Sequence, residues 1–440
     1  MSKEYIVNKC GGGIMVPTLL PLVKKALAHQ MRLGYAPIVV VSAVKDVTDT
    51  LIGFLVKTKQ DPTAQNITNF IAQLRDTHEQ LFGTLGESFD AVLKNLTKDI
   101  EAYARQSDSI ELEAKIISYG EKLSALCAAE YLSEAGTPAT PVFAENIPLL
   151  TDAVIKDANI LYDQSEKNLQ KYLSKINSIP VIAGFTGVSP AGAVTLLGRG
   201  GTDTTACFVG AAMRARRVVL WKDVGAVYSA DPKLVKEART IPFLSYDEVE
   251  EAGKIIQGKA VRYLRQYKIE AEVASLKNFK DKTTIRELKK AIPGARLVSF
   301  KKSLTLFSLS QGDARGYERL SEVSDLCARY KVNVVLIWND PTNLHVVVED
   351  TSGLLPELTA EVAARFPHIE STTVHMITIV GDFNWKDVNI FNQTLHKLDA
   401  KALMGACPYP KCLRMEGIVV AKNDVASLLR AMHKVFIFKK

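Results

Sequence analysis

The run Pro37-Ile-Val-Val-Val-Ser42 is apolar without alternation. A strand with one face in water alternates apolar and polar residues; a strand buried on both faces has no need to. Tyr5-Ile6-Val7, Ile179-Pro-Val-Ile-Ala183 and Arg217-Val-Val-Leu-Trp221 read as further strands. Helical spacing fills the intervals: Leu19, Leu22, Val23, Ala26 and Leu27 mark one face, residues 51–105 carry more helices, and Ile116 to Leu132 reads as another, entered at Tyr119-Gly120-Glu121. Strands alternating with helices predict a layered α/β fold with a largely parallel sheet.

The C-terminal third has a different rhythm. Leu304-Thr-Leu-Phe-Ser308 and Thr373 to Val380 each open a similar unit. In the first, a helix from Glu318 to Tyr330 precedes the strands Asn333–Trp338 and Leu344–Val348. In the second, a helix from Val388 to Leu398 precedes Lys401–Met404, Gly417–Val420 and a closing helix, Val425–Val435. A repeated βαββα unit of about 70 residues suggests two ferredoxin-like modules. Ile292-Pro293-Gly294 reads as the linker, which predicts domains at 1–292, 293–370 and 371–440.

Composition narrows the function classes. The chain has 440 residues, 47% hydrophobic and 23% charged, enough apolar material for several cores, so disorder is not its main state. No apolar run approaches the roughly 18 residues a membrane span needs, and the N-terminus lacks the apolar core of a leader peptide. Net charge is +7, from 55 basic and 48 acidic residues, without a long basic run; nucleic-acid binding is not expected. The mild excess fits an enzyme that handles anions and equally fits simple solubility. Six cysteines are scattered, only Cys407 and Cys412 are close, and no second pair completes a zinc site. No resident metal is therefore expected, and a reducing cytoplasm is the expected compartment.

Three segments carry the chemistry. Gly184-Phe-Thr-Gly187 is followed by Leu197-Gly-Arg-Gly-Gly-Thr-Asp203, which opens a helix. Glycines let the backbone approach an anion, and the free N–H groups of a helix start favour phosphate or carboxylate. Arg199 offers a planar fork for a carboxylate. A plain glycine turn capped by Thr202 or Asp203 is the structural alternative. Lys9 stands beside Gly11, Gly12 and Gly13, in a spacing that is not the P-loop pattern; it suits transferring phosphates, or simply water beside a flexible turn. Trp221 to Lys233 leaves a strand through Lys222 and Asp223 and turns at Asp231-Pro232, with Tyr228 able to stack on a base and Lys233 to meet phosphate. Ser42, Thr48 and Glu121 are weaker candidates, readable as turn residues and a solvated helix-start acid.

In their order along the chain these segments resemble aspartate kinase, of the amino-acid kinase superfamily, with two C-terminal ACT domains. The likeness is densest in Val39–Ala43, Gly120-Glu121, Gly184–Gly187, Leu197–Asp203 and Asp223–Pro232, and the ending Ala431-Met-His-Lys-Val435 resembles the close of the second ACT unit. The resemblance implies a three-layer αβα kinase domain with a largely parallel sheet, followed by two ferredoxin-like βαββαβ domains. It implies transfer of the γ-phosphoryl group of ATP, with Mg2+, to the β-carboxylate of L-aspartate. Lys9 would then neutralise the phosphates and Asp203 orient it, with Arg199 clamping a substrate carboxylate and Glu121 holding the substrate ammonium. Ser42, Thr48, Phe185 and Thr202 would line the aspartate pocket. Gly11, Gly12, Lys222, Asp223, Tyr228, Lys233 and either Lys254 or Lys259 would serve the nucleotide. An amino-acid effector at the ACT domains and a homodimer or higher even oligomer are also implied, the latter to cover Leu344–Val348 and Thr373–Val380, read as sheet edges.

The chain departs from the family pattern in four places. Cys10 to Ile14 lacks the two hydroxyls that usually follow the first lysine, and Lys222 replaces a threonine. Ala252 to Ala260 lacks the usual His-Pro, and Asn339-Asp340-Pro341 replaces the Thr-Ser-Glu of the lysine-effector site. Lysine inhibition is not expected at that place. A weakly active or inactive paralogue that binds amino acids as a regulatory partner, and a kinase of another amino-acid carboxylate, remain alternatives. A fused dehydrogenase is not expected.

Overall fold

The structure is a computed structural model that describes residues 3–60, 63–106, 108–147, 149–222, 225–253, 255–290, 292–310, 316–330, 332–350, 353–366, 368–397, 412–420 and 425–437. The chain forms two compact units. The first comprises Met1–Val227 and Thr240–Lys289; the second comprises Tyr228–Arg239 and Lys290–Lys440.

The first unit runs β1 (Glu4–Cys10), α1 (Leu20–Arg32), β2 (Tyr35–Val41), α2 (Val47–Gln60), α3 (Ala64–Phe82), α4 (Glu87–Arg105) and α5 (Ile110–Glu134). It continues through β3 (Ala139–Val142), α6 (Tyr162–Leu173), β4 (Ile179–Ala183), the short pair β5 (Thr186–Val188) and β6 (Val194–Leu196), and α7 (Gly201–Ala212). It ends with β7 (Arg217–Lys222), β8 (Phe243–Leu244), α8 (Tyr246–Ala252), α9 (Gly258–Tyr267), β9 (Glu270–Ser275) and β10 (Lys282–Ile285). Eight of these strands make one sheet, in the order β3-β4-β2-β1-β7-β9-β10-β8. Every neighbouring pair is parallel except β9 with β10.

The apolar runs take the central strands, as their lack of alternation requires: all of β4 is buried, and so are the last five residues of β2. Alternation along β1 divides the sheet's two faces. Ile6 and Cys10 join Leu27, Leu51, Phe89 and Ile116 in the core under α1 to α5. On that same face Asn8 donates to Gln30 and accepts from Trp221 Nε1, so the buried amides satisfy one another. Lys9 points to the opposite face, where α7 packs. Helices on both faces give the three layers expected from the sequence.

The second unit contains β11 (Gly294–Ser310), α10 (Gly316–Arg329), β12 (Asn333–Asn339), β13 (Asn343–Glu349), α11 (Leu355–Arg365), β14 (Ile369–Phe383), α12 (Trp385–Lys397), β15 (Cys412–Val420) and α13 (Val425–Phe436). Its sheet has the order β12-β13-β11-β14-β15 and is antiparallel throughout. The first strands of the two repeated units, β11 and β14, pair at its centre. Leu344–Val348 and Thr373–Val380 are therefore interior, in β13 and β14, and not the edges read from the sequence. A strand's neighbours are set by register with distant segments, which alternation alone does not reveal. Among the described residues the edges are β12 and β15. Lys401–Met404 lies outside the described residues.

Residues 228–239 leave the first unit between Val227 and Thr240 and pack with the second. Ala230 and Val235 join the core formed by Phe391, Leu429 and Met432. Ser229 Oγ lies 2.9 Å from His433 Nε2 on α13, and the Ser229 carbonyl accepts from Val298 N at 2.8 Å.

Candidate active site

Parallel strands deliver their C-terminal ends to one side of a sheet, where ligands of open α/β sheets bind. Here β1 ends at Lys9-Cys10, β2 leads into Ser42-Ala43, and β4 leads into Gly184-Phe185. Lys9 lies on a central strand, opposite Val40 of β2 and Leu220 of β7. Its Nζ is 2.7 Å from Asp203 Oδ1, and each residue is only 8% exposed. The contact is a close, buried ion pair. Each charge offsets the cost of burying the other, and the ammonium keeps N–H capacity for a further anion.

Asp203 stands in the first turn of α7. The residue before that helix is Gly200, not the Thr202 or Asp203 cap of the structural alternative, and it offers no side chain to the first N–H groups. An uncapped helix start beside a buried lysine has the N–H groups and the charge to receive an anion. Gly11 follows directly: a Cβ built on it would stand 3.3 Å from Lys9 Nζ. Gly12 has no room for a side chain, since a Cβ there would meet the Ala43 carbonyl oxygen at 2.6 Å and Lys45 N at 2.9 Å. Of the two positions where hydroxyls stand in the family pattern, Ile14 is 2% exposed and belongs to the core, while a Cβ built on Gly13 would meet nothing within 4 Å. The thiols beside the site are inert as nucleophiles. Burial pushes Cys10 up to about 12 and Cys207 well above the ordinary value.

Glu121 differs most from its reading as a solvated helix-start acid. α5 begins at Ile110, capped by Ser109, whose hydroxyl accepts from Leu112 N at 3.3 Å. Glu121 therefore lies mid-helix and is 2% exposed. Its Oε1 accepts from Ala43 N at 3.2 Å, while Oε2 is buried without a partner. Burial raises its pKa from the ordinary 4.5 to about 8, against the lowering effect of the Ala43 N–H. A buried carboxyl with one open oxygen suits a cationic group. The signal that could have exposed this is Gly120, which packs against Ala43 and lets the loop after β2 lie directly on the helix.

Phe185 has φ 68, a left-handed conformation rare for an aromatic residue. Its N–H donates to Thr205 Oγ1 at 3.1 Å and its carbonyl accepts from Leu197 N at 2.8 Å, so both strand ends and α7 hold it. Thr202 is buried against Gly184, Ser42 N donates to the Cys10 carbonyl at 3.1 Å, and half-buried Thr48 opens α2. Sequence-distant candidates thus converge: Lys9, Gly11, Gly12, Ser42, Glu121, Phe185, Thr202 and Asp203 share one end of the sheet.

The remaining candidates are placed otherwise. Arg199 is exposed, with no hydrogen-bond or ion-pair partner among the described residues. Lys222 ends β7, half-buried. Lys259 lies in α9 and bonds Asp157, with Nζ 2.5 Å from Oδ1 and 3.1 Å from the carbonyl oxygen. Tyr228 and Lys233 belong to the second unit. Asp223 and Lys254 lie outside the described residues. Sequence reasoning missed Ala43, whose contribution is a backbone N–H and so carries no residue-type signal, and the Lys259–Asp157 contact, which joins residues far apart along the chain.

Comparison with known proteins agrees with this architecture. An aspartokinase from Bacillus sp. (strain MGA3) is 30% identical over 266 residues, which cover 59% of this chain and 62% of that protein. The match thus spans less than two thirds of that relative's length. E. coli aspartokinase III in complex with aspartate and ADP (R-state) has a TM-score of 0.80 at 21% identity, over 99% of this chain and 100% of that one. The same E. coli enzyme in complex with lysine and aspartate (T-state) gives 0.82 at 22% identity, with the same coverage. At such identities the likeness establishes a common fold. The profile of the amino acid kinase family matches residues 4–286, the whole parallel-sheet unit and the site at its strand ends, and the chain belongs to that family.

Proposed function

We propose that this protein is an aspartate kinase, transferring the γ-phosphoryl group of ATP to the β-carboxylate of L-aspartate to give 4-phospho-L-aspartate and ADP. The observation that carries the reading is the buried Lys9–Asp203 pair beside the uncapped start of α7, with the half-satisfied Glu121 carboxyl at the same end of the sheet. The aspartokinase relatives, and the aspartate and ADP bound to the E. coli enzyme, support the choice of substrates.

The chemistry asks little of the protein beyond positioning and charge. The β-carboxylate is ionised at neutral pH, its ordinary pKa being about 3.9, so no base is needed to create the nucleophile. A carboxylate oxygen attacks the γ-phosphorus, and the bond from that phosphorus to the β–γ bridging oxygen breaks. Lys9 and the N–H groups opening α7 neutralise the charge that develops on the phosphoryl oxygens. Arg199 clamps a substrate carboxylate, and Glu121 receives the substrate ammonium on its open oxygen. Ser42, Thr48, Phe185 and Thr202 shape the pocket. Mg2+ typically binds phosphates with one or two carboxylates and several waters, a demand Asp203 can meet. When bound with ATP it supplies charge neutralisation at the β- and γ-phosphates. On the nucleotide side, Gly11, Gly12 and Lys222 lie at the strand ends, and Asp223, Tyr228, Lys233 and one of Lys254 and Lys259 follow from the family resemblance.

We also read the protein as a cytoplasmic homodimer or higher even oligomer, with β12 as the strand to be covered. Lysine should be a poor effector at the Asn339-Asp340-Pro341 turn. Asp340 Oδ1 already accepts from Thr342 N, Thr342 Oγ1 and Asn343 N, and Oδ2 lies 2.8 Å from His345 Nε2.

A hydroxamate assay with ATP, magnesium and a panel of amino acids tests the function, because it traps the acyl phosphate. Product with L-aspartate supports the assignment. Product with a different amino acid alone replaces the substrate, and none with any amino acid favours the regulatory paralogue.

A further inference from the structure

The arch that presents Arg199 is gripped from both sides. Gly198 and Gly200 have φ 74 and φ 72, left-handed conformations that glycine adopts without penalty. A Cβ on Gly198 would come within 2.1 Å of Asp157 Oδ1, and one on Gly200 within 2.1 Å of Gln257 Cγ. The flanks of the arginine are thus in direct contact with two side chains from elsewhere in the same unit. Asp157 comes from the loop before α6, and Gln257 immediately precedes α9. Lys259 closes the grip, its Nζ reaching both the carboxylate and the carbonyl oxygen of Asp157. Backbone bonds fix the Asp157 loop to the arch's own strand: Leu196 N donates to the Ile155 carbonyl at 2.7 Å, and Ala158 N to the Leu196 carbonyl at 2.9 Å.

Arg199 itself takes no part in this bonding. Its side chain is exposed and unpartnered among the described residues, four positions before the buried Asp203. A guanidinium that recognises a planar carboxylate by two parallel hydrogen bonds depends on where its backbone is held. An exposed Gly-Arg-Gly arch left to itself would wander through the many conformations glycine allows.

We propose that Asp157 and Lys259, with Gln257, are positioning residues: they clamp the Gly198–Gly200 arch so that Arg199 is preorganised for the substrate's carboxylate. Lys259 is then a brace of the amino-acid site and not a nucleotide ligand. The proposal rests on the kinase reading for the identity of the ligand, and on the clamp geometry for everything else.

The test compares Asp157→Ala, Lys259→Ala, their double variant and the conservative Lys259→Arg. The Asp157 side is exposed, so thermal unfolding should hardly move in any of them. Each alanine variant should raise the aspartate KM about ten-fold, within the range that misplacement of a positioned group produces. The ATP KM and kcat at saturating aspartate should stay within about two-fold. The double variant should be no worse than either single one, because both break one clamp. Lys259→Arg should restore most of the loss. A second readout needs no turnover: hydrogen exchange at the amides of residues 197–201 should quicken in both alanine variants while the rest of the unit keeps its protection. Two results overturn the proposal. One is a raised ATP KM in Lys259→Ala with Asp157→Ala silent, which returns Lys259 to the nucleotide. The other is unchanged exchange at 197–201 in both alanine variants. A wild-type protein without aspartate-dependent turnover would defeat the kinase reading alone, and the exchange experiment would still decide the clamp.

Discussion

The strand ends of the parallel sheet and the β12–β13 hairpin of the antiparallel one both hold acidic side chains, but they treat them in opposite ways. In the hairpin, Asp340 is satisfied by its own neighbours. Two backbone N–H groups, a threonine hydroxyl and His345 hold its carboxyl well below the usual range, with His345 the largest cause. At the parallel strand ends, Glu121 keeps an oxygen buried and unpaired, and among the described residues Asp203 has the Lys9 ammonium as its ion-pair partner. A buried polar group left short of partners costs stability and persists where a ligand completes it. The contrast also follows from topology. An antiparallel hairpin brings sequence neighbours together and can close its own turn. A parallel sheet must return each strand through a helix, so its ends gather residues far apart in sequence and leave them facing one space.

The comparison can be broken most severely at Lys9. Lys9→Ala should lower aspartate-dependent ADP formation about 100- to 1,000-fold, the usual effect of losing one preorganised donor. It should also destabilise the protein by about 3–5 kcal/mol, because Asp203 is left buried and unpaired. The pairing of Lys9→Met with Asp203→Asn should recover much of that stability without recovering turnover. Kinetics and thermal unfolding of the three proteins check both statements. Activity within a few-fold of wild type in Lys9→Ala would remove Lys9 from the phosphate site.

Glu121 sharpens the comparison through pH. The folded protein holds the Glu121 proton up to about pH 8, whereas the unfolded chain releases it near 4.5. Between those values the native state binds more protons, so this group's contribution to stability falls as pH rises, and levels off above about 8. Glu121→Gln should abolish that part of the pH dependence and raise the aspartate KM far more than the ATP KM. If an ammonium docks on the open oxygen, aspartate binding near neutral pH should release up to about one proton. Calorimetry in buffers of different ionisation enthalpy measures that release. Its absence would leave Glu121 as a core residue.

The smallest effects belong to the hairpin. Asp340→Asn should leave kcat and both KM values unchanged. Asp340's contribution to stability is present above the ordinary carboxylate range and is lost as pH falls through it, so the variant should differ from wild type only near neutral pH, and slightly, given its solvent exposure. Lysine should inhibit neither protein appreciably. An inhibition curve with tight lysine binding that disappears in Asp340→Asn would show that the closed turn opens for a ligand.

The architecture was legible in the sequence because it rests on local pattern. Unbroken apolar runs such as Pro37–Val41 and Ile179–Ala183 can be satisfied only inside a sheet covered on both faces. The glycines before Asp203 likewise announce a helix start open to an anion. Tertiary structure alone decided three things. It decided that Glu121 is buried mid-helix against the Ala43 N–H, that Lys259 is tied to Asp157, and that β13 and β14 are interior strands. The physical reason is range. Backbone propensity and amphipathic period are fixed by residues within a turn or two. The partner of a charge, the depth of a carboxyl and the neighbour of a strand depend on segments far away along the chain, which only the packed fold brings within a few ångströms of each other.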